Sequence, residues 1–233
     1  MKRIILTILI FSLIFLTFDL THKQQPIINP TSTTIIDIPT LIIDAGHGGQ
    51  DCGTIANDGT YESVINLAIS YKLKEFLLSF GFNVLLTRTD DNLIGDNSLG
   101  TIRERKRSDV RRRLDIVENT ENPVLISIHQ NYFSLPQYYG VQVFYSGNHL
   151  ESKKIAQEVQ SSAVNHLQKE NKRQIKLSGK EIWLLHNVKT PAIMVECGFL
   201  SNQNELNKLK DDSYQNEIAF MISIGIINYY LKI

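Results

Sequence analysis

The sequence predicts an α/β fold: a single domain built on a twisted, mostly parallel sheet with helices on both faces. Three observations lead there. Short β-rich runs alternate with helical periodicity from Leu41 onward. Two of those runs, Leu41–Asp44 and Ala192–Val195, are almost wholly apolar, as strands covered on both faces are. The chain of 233 residues is long enough for one sizeable core and short for two.

In chain order, the strand Leu41–Asp44 runs into the Gly-rich loop Ala45-Gly46-His47-Gly48-Gly49. A turn at Asn57-Asp58-Gly59 follows. Ile65, Ala68, Ile69, Leu73, Phe76, Leu77 and Phe80 then recur at helical spacing, with Gly81 as the stop. Phe82–Thr87 reads as the next strand, and Thr89–Gly100 as a polar loop. A charged helix spans Ile102–Glu118, with Val110, Leu114 and Val117 as its inward stripe. Val124–His129 and Val141–Tyr145 are strands, and Ser152–Lys169 is a helix. Ala192–Glu196 is a further strand, and Tyr214–Leu231 is the final helix.

The N-terminus differs in kind. Lys2 and Arg3 precede an uncharged, mostly apolar run from Ile4 to Phe18, the pattern of an export signal. As a helix this run spans roughly 22 Å, somewhat short of a ~30 Å hydrocarbon core. No small-x-small cleavage site follows it, which favours an uncleaved anchor over a cleaved signal. A buried N-terminal helix is the bland alternative. Residues 21–39, with Pro26, Pro30 and Pro39, read as a tether. The expected organisation is therefore an anchor at 1–20, a linker at 21–39 and a catalytic domain at 40–233, outside the cytoplasm.

Lys+Arg and Asp+Glu balance at 24 each, so nothing points to nucleic acid as a partner. Two cysteines make no disulfide framework in a chain of this size. The sequence does not fix an oligomeric state.

His47, His129 and Glu196 all fall at or just past the ends of predicted strands, where functional groups gather in parallel sheets. Glu62 heads the first helix. A hydrolytic zinc site needs three protein ligands and an open position for water, and His47, Glu62 and His129 are a set of the right chemistry. A fourth group must take a proton from the attacking water and pass it on. Glu196, after four apolar residues, suits that task. Spacing alone leaves other readings open: His47 as a turn residue, Glu62 as a helix-start acid and Glu196 as a structural ion-pair acid.

Four motifs narrow this. Asp44-Ala45-Gly46-His47-Gly48-Gly49, then Glu62 heading a helix, then Ser127-Ile128-His129-Gln130-Asn131, then Val195-Glu196-Cys197-Gly198-Phe199-Leu200-Ser201-Asn202 closely resemble the zinc-dependent N-acetylmuramoyl-L-alanine amidases. The resemblance runs from about Leu41 to Lys232, with the motifs in order. It implies one Zn²⁺ held by His47, Glu62 and His129, with Glu196 as the catalytic acid/base. It also implies peptidoglycan as substrate. Within that family the sequence is most similar to the germination-specific amidases of spore formers. Its short N-terminal apolar segment, its lack of wall-binding repeats and the Thr87-Arg88-Thr89-Asp90 loop carry that likeness. Such enzymes act on spore cortex as a step towards muramic-δ-lactam. A vegetative wall autolysin acting in cell separation is the alternative. A zinc carboxypeptidase acting within the stem peptide, or a non-catalytic wall-binding protein, would fit less well.

Some residues depart from the family pattern or stand outside it. Ala45 replaces the usual proline, and Cys52 stands where a small residue is usual. Cys52 and Cys197 both fall near the expected metal: two free thiols is the plain reading, with a disulfide, an extra ligand or an oxidation-sensitive thiol as alternatives. His22, His149, His166 and His186 read as surface residues. Arg103 through Arg113 read as a solvated helix face, or as a patch for stem-peptide carboxylates or a partner. Between His129 and Glu196 the sequence shows one strand, one helix and a loop, so the groove is expected to be uncovered. Control would then come from expression, location or an accessory protein.

Overall fold

The computed structural model describes residues 38–231. The expected anchor and most of the linker lie outside the described residues. Among the described residues no helix is long and apolar enough to cross a membrane.

The strands are β1 (Thr40–Ala45), β2 (Asn83–Leu86), β3 (Pro123–Asn131), β4 (Gln142–Tyr145), β5 (Lys176–Leu177) and β6 (Ala192–Phe199). They form one sheet in the order β2-β1-β3-β6-β4-β5. β4 is antiparallel to β6, and the other neighbouring pairs are parallel. The helices are α1 (Glu62–Ser79), α2 (Ile102–Glu118), α3 (Leu150–His166), α4 (Trp183–Asn187), α5 (Gln203–Leu209) and α6 (Asp212–Leu231).

Both faces of the sheet are covered, as the apolar strands required. On one face Ile43, Ile126, Ile128, Ile193 and Val195 pack with α1, α3 and α6 in the larger core. On the other, Ile42, Leu125 and Ala192 meet Val117 of α2, Leu184 of α4 and Val188. This second face changes character along the strands. Ile42, Leu125 and Ala192 give way, two residues on, to Asp44, Ser127 and Met194. Two residues further come Gly46, His129 and Glu196. Register holds these rows level, with Asp44 opposite Ser127 and His129 opposite Glu196. The period of two thus delivers polar groups to one edge of an otherwise apolar face.

Three short elements escaped the sequence reading: β5, α4 and α5. At two, five and seven residues they are too short to show a period. The segment between His129 and Glu196 therefore holds a second strand and a second helix beyond those expected. Helix α3 also begins earlier and ends earlier than the spacing suggested. His149 explains its start: the imidazole accepts a hydrogen bond from Glu151 N at 3.2 Å, so this histidine caps a helix.

The reading of Arg103–Arg113 as a solvated face holds for Arg103, Arg107, Arg111 and Arg112, which are exposed, but needs a correction at Arg113. Arg113 is only 3% exposed and Asp109 is equally shut in. Arg113 Nη1 donates to Asp44 Oδ1 at 2.5 Å and to Ala45 O at 2.7 Å. Its Nη2 donates to His47 O at 2.7 Å, and its Nε to Asp109 Oδ2 at 2.7 Å. A helix whose stripe contains Val110, Leu114 and Val117 carries residue 113 on nearly the same side, so the guanidinium faces the end of β1. Burial by itself would raise the Asp44 carboxyl, but Arg113, Ser127 and Thr87 together hold it at about 2. Its ordinary value is 3.8, so the unfolded chain takes up the proton first. Asp44 therefore contributes about 2 kcal/mol of stability above pH ~4, and this is lost as pH falls through ~2. Arg113→Met, which leaves Asp44 buried without its cation, is expected to cost about 3–5 kcal/mol in urea unfolding at neutral pH. A loss below about 1 kcal/mol would show the clamp to be incidental.

Candidate active site

The loop after β1 turns sharply. His47 has φ 64°, in the left-handed region, and Gly48 and Gly49 also have positive φ. Two buried arginines hold this turn in place. Arg113 takes its carbonyls as above, while Arg88 Nε donates to Ala45 O at 2.8 Å. Arg88 Nη2 donates to Ser63 O at 2.7 Å and Gly46 O at 3.2 Å. Arg88 thereby ties the His47 loop to the start of α1.

Helix α1 begins at Glu62 without a side-chain cap. Its first amides are taken by the incoming loop instead: Glu62 N donates to Thr54 O at 3.0 Å and Ser63 N to Cys52 O at 3.1 Å. This places Glu62 at the mouth of the β1 turn. Its Oε2 accepts from Thr54 N at 2.8 Å. Its Oε1 accepts from Gln130 N at 3.1 Å and from Asn66 Nδ2 at 3.3 Å.

The three donors meet there. Glu62 Oε1 lies 3.0 Å from His129 Nδ1 and 3.4 Å from His47 Nε2. The imidazole rings are 4.9 Å apart, edge to face. One ligand atom from each of His47, Glu62 and His129 falls within 4.8 Å of the others. The other ring nitrogen of His47, Nδ1, faces Asp51 Oδ2 at 3.1 Å, and Asp51 Oδ1 pairs with Lys106 Nζ at 2.6 Å. An acid behind a histidine fixes its tautomer and aims the opposite nitrogen at the cluster. Asp51 carries no sequence motif, and the sequence reading missed it.

The surroundings favour positive charge at this point. Burial alone would lower the His47 imidazole, but Asp51 and Glu62 carry it up to about 9. Burial alone would raise Glu62, yet His129 and His47 hold it far below the usual carboxylate range. Small residues make the room. A Cβ on Gly46 would overlap the His129 ring, and one on Gly53 would sit 2.6 Å from Glu62 Oε2. Two imidazoles and a carboxylate in such a cradle are a donor set that suits zinc.

Glu196 sits beside this cluster, opposite His129 on the neighbouring strand. Its Oε2 is shut off from solvent and has no hydrogen-bond partner. Burial lifts the carboxyl to about 7, against the pull of His129. A buried acid held this way is costly for the fold and useful in proton transfer. A cleft of about 350 Å³ is lined by His47, Asp51, His129 and Glu196, with Glu62 buried behind the two imidazoles. Its floor includes Asp44, His47, His129 and Glu196, and its walls come from Lys106 and Val110 of α2 and from residues 181–185.

Neither cysteine belongs to the cluster, and both are free thiols. Cys197 points from β6 into the larger core, where burial pushes its thiol well up. Cys52 contributes its carbonyl to the start of α1. Asn131 acts through its backbone, its carbonyl accepting from Leu200 N at 2.9 Å.

An α/β sheet with a strand-end cluster of two imidazoles and a carboxylate, open to a cleft, defines an enzyme of the hydrolytic class. The profile of the N-acetylmuramoyl-L-alanine amidase family matches residues 41–228, and the chain belongs to that family. It is 30% identical to the germination-specific N-acetylmuramoyl-L-alanine amidase of Bacillus subtilis, over 82% of this chain and 80% of that protein. Among solved structures it is similar to the CwlD amidase of Clostridioides difficile in complex with the GerS lipoprotein. The TM-score is 0.80 at 38% identity, covering 84% of this chain and 100% of that one. It is also similar to an N-acetylmuramoyl-L-alanine amidase of Clostridium difficile 630, with TM-score 0.71 at 31% identity. That likeness covers 82% of this chain and 96% of the other.

Proposed function

We propose that the protein hydrolyses the amide between N-acetylmuramic acid and L-alanine in peptidoglycan, with one zinc ion held by His47, Glu62 and His129. The observation that carries this reading is the unpaired Glu196 oxygen beside a three-donor cluster whose two imidazoles line the same cleft. A zinc ion at the cluster supplies Lewis acidity, polarising the carbonyl and acidifying water towards pKa ~7. Glu196 Oε2 takes the proton of the attacking water and passes it to the nitrogen of the leaving L-alanine. Asp51 keeps Nδ1 of His47 protonated and Nε2 free to bind. Gly46 keeps the backbone clear of the His129 ring.

The setting belongs to the same proposal. The N-terminal run at 1–20 anchors the chain, the segment 21–39 tethers it, and the catalytic domain 40–233 faces the wall outside the cytoplasm. Spore cortex is the favoured substrate, supported by the likeness to a germination-specific amidase. An accessory protein is supported by the similar amidase seen with a lipoprotein. If the host forms spores, disrupting the gene should remove muramic-δ-lactam from the cortex and leave vegetative cell separation unchanged. Normal lactam with chained vegetative cells would assign the enzyme to the vegetative wall instead.

A further inference from the structure

The apolar wall of the cleft is built on α4, one of the elements the sequence did not reveal. Leu184 and Leu185 are buried beneath it, at 6% and 1% exposure. Asn148 Nδ2 donates to both His186 O and Val188 O at 2.8 Å, which pins the end of the helix. On this fixed base Trp183 lines the same cleft as His47, His129 and Glu196, and remains 37% exposed. It is the only tryptophan in the chain. Lys106, paired with Asp51, adds a polar group to the same lining.

A large aromatic ring held rigidly and left open to solvent is an unused binding surface. Its indole combines an apolar face with an N–H donor, which matches a pyranose ring, apolar on its C–H face and polar at its rim. We propose that Trp183 is the stacking platform for the amino-sugar ring that carries the scissile amide. It thereby sets the specificity of the enzyme for a muramoyl rather than a simple acyl group. This rests on the amidase reading above. The platform acts on binding: stacked against Trp183, the sugar brings its side-chain carbonyl towards the cluster that shares this cleft.

The test uses the full-length, zinc-loaded protein and the emission of its single tryptophan. Glycan chains stripped of stem peptides should shift and quench that emission saturably, whereas free stem peptide should not. Trp183→Ala should raise KM for muropeptide about tenfold with kcat within about twofold. Trp183→Phe should restore KM to within about threefold of wild type. Unchanged emission on adding glycan would overturn the proposal. So would an unchanged KM in Trp183→Ala, or a fall in kcat with a lowered Tm, which marks a merely structural residue. An emission response without release of stem peptide would retain the sugar platform and sink the amidase reading instead.

Discussion

Glu196→Gln is expected to lower turnover on peptidoglycan by about a thousandfold while leaving bound zinc unchanged. The substitution keeps the shape of the side chain and removes its ability to accept a proton. Because Oε2 has no partner, nothing in the fold depends on its charge, and Tm should not fall. In wild type the carboxyl must be ionised to act, so kcat/KM is expected to drop as pH falls through its pKa. Burial sets that pKa at about 7, and a nearby cation can only lower it. The acid limb should therefore have its midpoint at or below about 7. Metal analysis, thermal melting and a pH–rate profile measure all three. Near-normal turnover in Glu196→Gln, or an acid midpoint above 7, would remove Glu196 from its role.

Glu62→Gln should weaken zinc binding by more than about 100-fold, and turnover at stoichiometric zinc should vanish with it. The carboxylate is the only anionic member of the cluster, and two neutral imidazoles with an amide make a much poorer set for zinc. Asp51→Asn, which only loosens the orientation of His47, should cost about 10–100-fold in zinc affinity. Calorimetric titration of the metal-free protein orders the two variants. Equal affinity in wild type and Glu62→Gln would show that the cluster is not the zinc site. Since Glu62 also accepts hydrogen bonds from Thr54, Asn66 and Gln130, a melt of each metal-free variant separates lost metal from a loosened loop.

The sequence made the site legible because its members sit at positions with strong local grammar. His47 lies in a Gly-rich turn after an apolar strand, His129 and Glu196 end other strands, and Glu62 heads a helix with clear periodicity. Parallel register then brings strand ends level, so His129 and Glu196 become neighbours with 66 residues of chain between their positions. What holds the site in place was hidden. Arg88 reaches the carbonyls of the His47 loop from 43 residues away, and Asp51, though only four residues from His47, meets it through an irregular turn whose shape no periodicity shows. Arg113 looked like one charge among many on a solvated helix, yet it is the residue that α2 turns inward. Trp183 was missed because α4 spans one turn and a half, too little for a hydrophobic period to appear. Local pattern thus exposed the members of the candidate site, whereas the bonds of Arg88 and Arg113 that hold its loop required the fold.

Mass spectrometry of peptidoglycan digested by the zinc-loaded protein tests the central claim most directly. The account predicts free stem peptides bearing an N-terminal L-alanine, together with intact glycan chains whose lactyl groups end in carboxylates. Stems shortened from within but still attached to muramic acid would contradict it, and would make the protein a peptidase rather than an amidase.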